Sequence, residues 1–191
     1  MPPRHDLSGL GTTLAVVLWA AAVAGIGTVL APGRGLGLVL GGLLLMSVVV
    51  FLIWFYQARQ NAGWSDWPQR LAPAWAIWGW FVPIIFLWFP FMVMAGIWRA
   101  GQPGQERARP AVLPGAWWAC WLLAWFTGFR HVVVTTGAGT GFESFTSEYG
   151  LYFEGTVLSK LFAAAAAVFL GLIVRRVSTG PVGGVSQPGE R

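Results

Sequence analysis

Five stretches of this chain are as long as a bilayer is thick, and they carry almost no charge. Asp6 and Arg34 enclose 27 uncharged residues, Arg34 and Arg59 enclose 24, Arg70 and Arg99 enclose 28, and Arg109 and Arg130 enclose 20. Glu154 and Arg175 bracket a further 20, of which only Lys160 is charged. A hydrocarbon core about 30 Å thick takes about 20 helical residues at about 1.5 Å each. Without water the backbone must bond to itself, so each stretch is expected to be helical. Charged residues make up only 10% of the chain and hydrophobic ones 56%. That is too little charge to cover a soluble domain and too much apolar surface for a disordered chain. The expected class is an all-α integral membrane protein with apolar segments at about 10–30, 36–57, 75–97, 113–129 and 155–174. An N-terminal tail, 1–9, and a disordered Gly/Pro/Ser-rich tail, 178–191, flank this membrane domain.

The first run invites comparison with a secretory leader, since Arg4 precedes it and Ala22-Val23-Ala24 offers a small-residue cleavage pattern. The apolar run continues past that point to Pro32-Gly33, and a short link leads straight into the second run. The expectation is a helical hairpin rather than a cleaved leader.

The segment Trp75 to Ile97 differs from the others. It contains Pro83 and Pro90 and has tryptophans at positions 75, 78, 80 and 88. Proline removes a helical hydrogen bond, and tryptophan favours the membrane interface. Two readings follow: a kinked span, giving five in all, or a re-entrant segment, giving four. Cytoplasmic loops carry the excess of Lys and Arg. With five spans the arginines outside the apolar segments divide 4 against 7. With four they divide 9 against 2, only Arg34 and Arg130 lying outside. The expectation is therefore four transmembrane helices plus a Trp/Pro-rich embedded segment, with both termini cytoplasmic in a bacterial inner membrane. Five spans is the alternative.

No catalytic constellation stands out: there is no G-x-S-x-G, Walker A or H-E-x-x-H pattern. The Gly137-Ala138-Gly139-Thr140-Gly141 stretch lacks the final glycine and the strand–helix context of a dinucleotide loop, and reads as an external loop. Glu143, Glu148 and Glu154 make that loop acidic. With two histidines, His5 and His131, and one cysteine, Cys120, no haem, metal or disulfide framework is expected. Lys160 sits near enough to the start of its segment to snorkel outward. The net charge of +5 is spread over arginines at segment ends, which suits anionic headgroups rather than nucleic acid. The expectation is no enzyme, no cofactor and no nucleic acid.

Small residues recur every fourth position along the last span, at Gly155, Ser159, Ala163, Ala167 and Gly171. Such a stripe lets helices approach closely. Trp117, Trp121 and Trp125 form a second stripe, read as lipid-facing or packing.

Two motifs carry a resemblance. Trp54-Phe55-Tyr56-Gln57-Ala58-Arg59-Gln60-Asn61 is similar to a W-x-Y-R-A-R-x-N signature. Pro73-Ala74-Trp75-Ala76-Ile77-Trp78-Gly79-Trp80-Phe81-Val82-Pro83-Ile84 is similar to P-x-W-A-x-x-x-W-F-x-P-I, and the likeness continues to Ile97-Trp98-Arg99-Ala100. Together they resemble the actinobacterial membrane family known as domain of unknown function 4328. The chain departs from it at Gln57, where the family usually has Arg, and at Phe86, where it has Asn. The resemblance implies a multi-span bacterial membrane protein and supplies no activity.

The function expected is that of a structural or interaction module, with a small transporter or channel subunit as the alternative. Membrane lipids are the expected partners, alongside a protein partner or a second copy of the chain. Arg59, Asn61, Trp98 and Arg99 are expected to form one cytoplasmic interfacial cluster facing anionic lipid or an acidic partner segment.

Overall fold

The computed structural model describes residues 5–31, 34–63, 71–82, 84–102, 110–136, 146–153 and 156–179; for 130–136 and 146–153 the backbone alone is described. These residues form helices α1 (Ser8–Leu30), α2 (Arg34–Ala62), α3 (Trp75–Trp78), α4 (Phe89–Ala100), α5 (Val112–Gly128) and α6 (Val157–Thr179), with a 3-10 turn at Ile85–Leu87 before α4. Three of them, α1, α2 and α6, are long and apolar enough to cross a membrane. The helical class read from the charge gaps holds in this coarser form.

Most hydroxyls within the apolar helices, among the described residues, bond to their own backbone, which lowers the cost of carrying them into hydrocarbon. Thr12 and Thr13 donate to the carbonyls of Ser8 and Gly9, Ser47 to Leu44, Thr127 to Leu123, and Thr179 to Arg175. At the start of α1 the Ser8 N–H donates to the Asp6 carboxylate at 2.9 Å, which holds Asp6 below its usual carboxylate value.

The helices outrun the segments drawn between charges. α2 continues through Arg59 to Ala62, and α6 through Arg175 and Arg176 to Thr179. A helix can carry charge in its last turns when they lie at headgroup depth, so charge marks a span's polar end rather than its stop. The N-terminal tail boundary moves likewise: α1 begins at Ser8, and Leu7 is buried. Ser178, expected in the tail, belongs to α6; residues 180–191 lie outside the described residues.

The third segment is broken. α3 is 4 residues long and α4 is 12, with turns and the 3-10 element between them. A helix of that length rises only about 18 Å. Pro90 occupies the first turn of α4, where its missing N–H costs nothing. Ile84, at the break, holds φ at 70°, a left-handed value that a β-branched side chain adopts only under constraint.

One feature departs from an all-helical reading. Phe129–Thr136 (β1) and Thr146–Phe153 (β2) pair as an antiparallel hairpin in the register Phe129↔Phe153 to Thr136↔Thr146. The β-branched run Val132–Thr136 beside a glycine-rich stretch is the local signal for it. The Gly137–Gly141 stretch lies outside the described residues.

α1 packs antiparallel between α2 and α6, and α6 packs against α5. α4 packs against both α2 and α5, and α3 packs against α2 and α4. Close approach of α1 to α6 depends on two glycines: a Cβ on Gly11 would collide with Ser178, and one on Gly171 with the indole of Trp19. The core runs through Leu14, Trp54, Phe55, Met94, Trp117, Ile173 and Val174, all essentially inaccessible.

Candidate functional site: the arginine end of the bundle

The C-terminal turns of α2, α4 and α6 and the first residues of the described chain meet at one end. Trp54 donates its indole N–H to Ser178 Oγ at 3.0 Å, joining α2 to α6. Asn61 pairs with the backbone of His5 in both directions: His5 N donates to Asn61 Oδ1 at 3.0 Å, and Asn61 Nδ2 donates to the His5 carbonyl at 2.8 Å. The His5 ring Nε2 lies 2.8 Å from Gln60 Oε1. An amide side chain here does what a neighbouring strand would do, and fixes the incoming chain to α2.

Arg59 is 3% exposed and donates through NH2 to the carbonyl of Leu71. Leu71 opens the broken segment, so this bond fixes the segment's entry to the last turn of α2. At the other end of that segment, the Arg176 guanidinium lies over the Trp98 indole, 5.6 Å from the ring centroid. That fixes its exit to the last turns of α6. A second stack, Arg175 over Trp19 at 5.6 Å, joins α6 to α1. Each such contact is worth about 0.5–1 kcal/mol where exposed and about 2 where dry.

Between its two ends the segment reaches into the bundle. Trp118 on α5 donates to the Leu87 carbonyl at 2.9 Å. Trp80 meets Phe51 at 5.7 Å, Trp118 at 5.9 Å and Trp121 at 5.5 Å, all edge to face, and Phe86 meets Trp121 at 6.2 Å. Such edge-to-face pairs satisfy the ring quadrupoles and add stability beyond area alone. Trp121 is nine residues into α5, about 14 Å along it. The segment is thus tied at Leu71 to the last turn of α2 and at Trp98 to the last turns of α6, while its middle packs on Trp121 of α5.

A family model described as Domain of unknown function (DUF4328) matches residues 17–179. The chain belongs to that family. The matched region takes in α2, the broken segment and α6, the elements that supply Arg59, Asn61, Trp98 and Arg176. No curated protein and no solved structure matches this DUF4328 member.

The four residues singled out in the sequence thus reach the same end of the DUF4328 bundle but divide in two. Arg59 and Asn61 are buried and bonded to the protein's own backbone. Trp98 and Arg99 are half-buried, and no direct bond or ring contact joins them to the first pair among the described residues. Of the small-residue stripe, Ser159 and Gly171 are buried, Ala167 is half-buried and Ala163 is exposed; Gly155 lies outside the described residues. The face α6 buries in its second half runs through Ala166, Leu170, Gly171, Ile173 and Val174, and shares only Gly171 with that stripe. Along the tryptophan stripe, burial falls from Trp117 through Trp121 to Trp125.

Sequence reading missed His5, Gln60, Leu71, Trp19, Arg175 and Arg176. The doublet Arg175-Arg176 closing an apolar run was the available signal for two of them; nothing local points to His5.

Proposed function

We propose that this DUF4328 protein is a structural or interaction module of the bacterial inner membrane. It spans the membrane four times, with α1, α2, α5 and α6 crossing and α3–α4 re-entering from the cytoplasmic side. Both termini are then cytoplasmic. One observation carries the reading: Arg59 holds the entry of the broken segment and Arg176 its exit, at the same end of the bundle. The arginine distribution of 9 against 2 supports the same arrangement and makes that end the cytoplasmic one. The space between α2, the re-entrant segment and α5 is filled by aromatic rings rather than a polar path, which favours scaffolding over conduction.

A small transporter or channel subunit is the second reading, and one observation favours it. The Trp80 indole N–H is buried with no partner among the described residues. A donor left unpaired deep in an apolar setting is costly and suits a passing polar ligand.

Affinity purification in mild detergent, followed by reconstitution into vesicles, separates the two. The module reading predicts a stable complex with lipid, protein or a second copy and no solute flux above empty vesicles. Flux that Trp80→Phe abolishes would favour the second.

A further inference from the structure

We infer that the stacks Arg175–Trp19 and Arg176–Trp98 are binding sites for the phosphodiester headgroups of anionic lipids, one on each flank of the last turns of α6. The inference rests on the membrane reading above and names a ligand class for that end of the bundle.

A guanidinium uses its flat face to stack and keeps its N–H donors in the plane, at the edge. Both side chains are exposed, and neither guanidinium has a hydrogen-bond or ion-pair partner among the described residues. Each arginine thus sits over an aromatic ring with no partner for its donors among the described residues, and a guanidinium can offer two of those donors to two oxygens of one phosphate. A ring that fixes the cation beforehand also lowers the ordering cost of binding.

Depth selects the ligand. Trp19 lies eleven residues into α1 and packs on Gly171, eight residues short of the end of α6. At about 1.5 Å per residue the first stack stands roughly two turns inside the end of the bundle. A cation held there faces lipid rather than bulk water, and the phosphate that can reach it is the one carried by a lipid. Trp98 is in the last turn of α4, so the second stack is shallower. Arg59, bonded to Leu71 and buried, takes no part.

The test uses full-length protein washed in mild detergent and examined by native mass spectrometry with added phosphatidylglycerol or phosphatidylcholine, and separately with inorganic phosphate. The variants are Arg175→Lys, Arg176→Lys and Trp98→Leu. Lysine keeps the charge but lacks the fork, and Trp98→Leu keeps both arginines but removes one platform. Melting temperatures in detergent alone establish that each variant is folded. The parent is expected to retain phosphatidylglycerol about fivefold or more over phosphatidylcholine, as one favourable arginine contact would give. Each variant is expected to lose the preference at its own site, and so about half of the specifically retained phosphatidylglycerol, while the other site keeps its share. Equal retention by the lysine variants would overturn the shaped site and leave simple charge attraction. Competition by inorganic phosphate at matching concentration would overturn the lipid assignment. Fractionation of cells with the protein outside the membrane pellet would overturn the membrane reading itself, an outcome distinguishable from both.

Discussion

The Arg176 guanidinium rests on the Trp98 indole, 5.6 Å from its centroid, and so ties the last turns of α6 to the last turn of α4. Two residues far apart in sequence thereby fix where the broken segment leaves the bundle. Arg59, bonded to the Leu71 carbonyl, fixes where it enters. Removing either tether should loosen the segment without unfolding the long helices around it.

Arg59→Met keeps a shorter unbranched apolar stem and loses the guanidinium with its hydrogen bond to Leu71. A buried carbonyl left without its charged donor costs about 1–3 kcal/mol. The expected outcome is a lower unfolding midpoint in detergent and faster amide exchange over 71–82. A midpoint equal to the parent's would show that the bond contributes nothing.

Gly171→Ala should destabilise by about 1–3 kcal/mol, because the added methyl meets the Trp19 indole and overpacks the α1–α6 contact. Ala163→Leu, on the same fourth-residue stripe but exposed, should stay within about 0.5 kcal/mol. Thermal unfolding of the two variants side by side checks this. Equal effects would mean that the stripe packs along its whole length.

Much of the fold was legible because charge is scarce here and marks the ends of apolar runs. The break after Trp78 was legible too: prolines at 83 and 90 and closely set tryptophans disfavour one straight helix. The hairpin was not, since reading for bilayer-length runs passes over eight-residue strands. The site was half legible. Motif residues pointed to Arg59, Asn61, Trp98 and Arg99, yet their roles depend on partners that local sequence does not reveal. Asn61 bonds to His5 across 56 residues. Arg175 and Arg176 find their rings on two different helices.

Asn61→Ala removes both bonds to the His5 backbone. Each is worth about 1 kcal/mol net. The residues ahead of α1 should then become susceptible to limited proteolysis while the helices remain protected. An unchanged cleavage pattern would show that Leu7 packing alone holds them.

Trp118→Phe keeps the aromatic packing against Trp80 and Trp121 but loses the donor to Leu87. Stability should fall by about 1 kcal/mol, with the exchange increase confined to 84–88. An increase spread over the whole chain would contradict the local role.

The central claim, that residues 71–102 enter and leave the membrane on one side, is tested most directly by cysteine labelling. In a Cys120→Ser background, single cysteines at Ala72, Gly101 and Ala31, all exposed, are treated with a membrane-impermeant maleimide in right-side-out and inside-out vesicles. Positions 72 and 101 should both label only in inside-out vesicles, and position 31 only in right-side-out ones. Labelling of 72 and 101 from opposite sides would contradict the re-entrant segment and make it a fifth span.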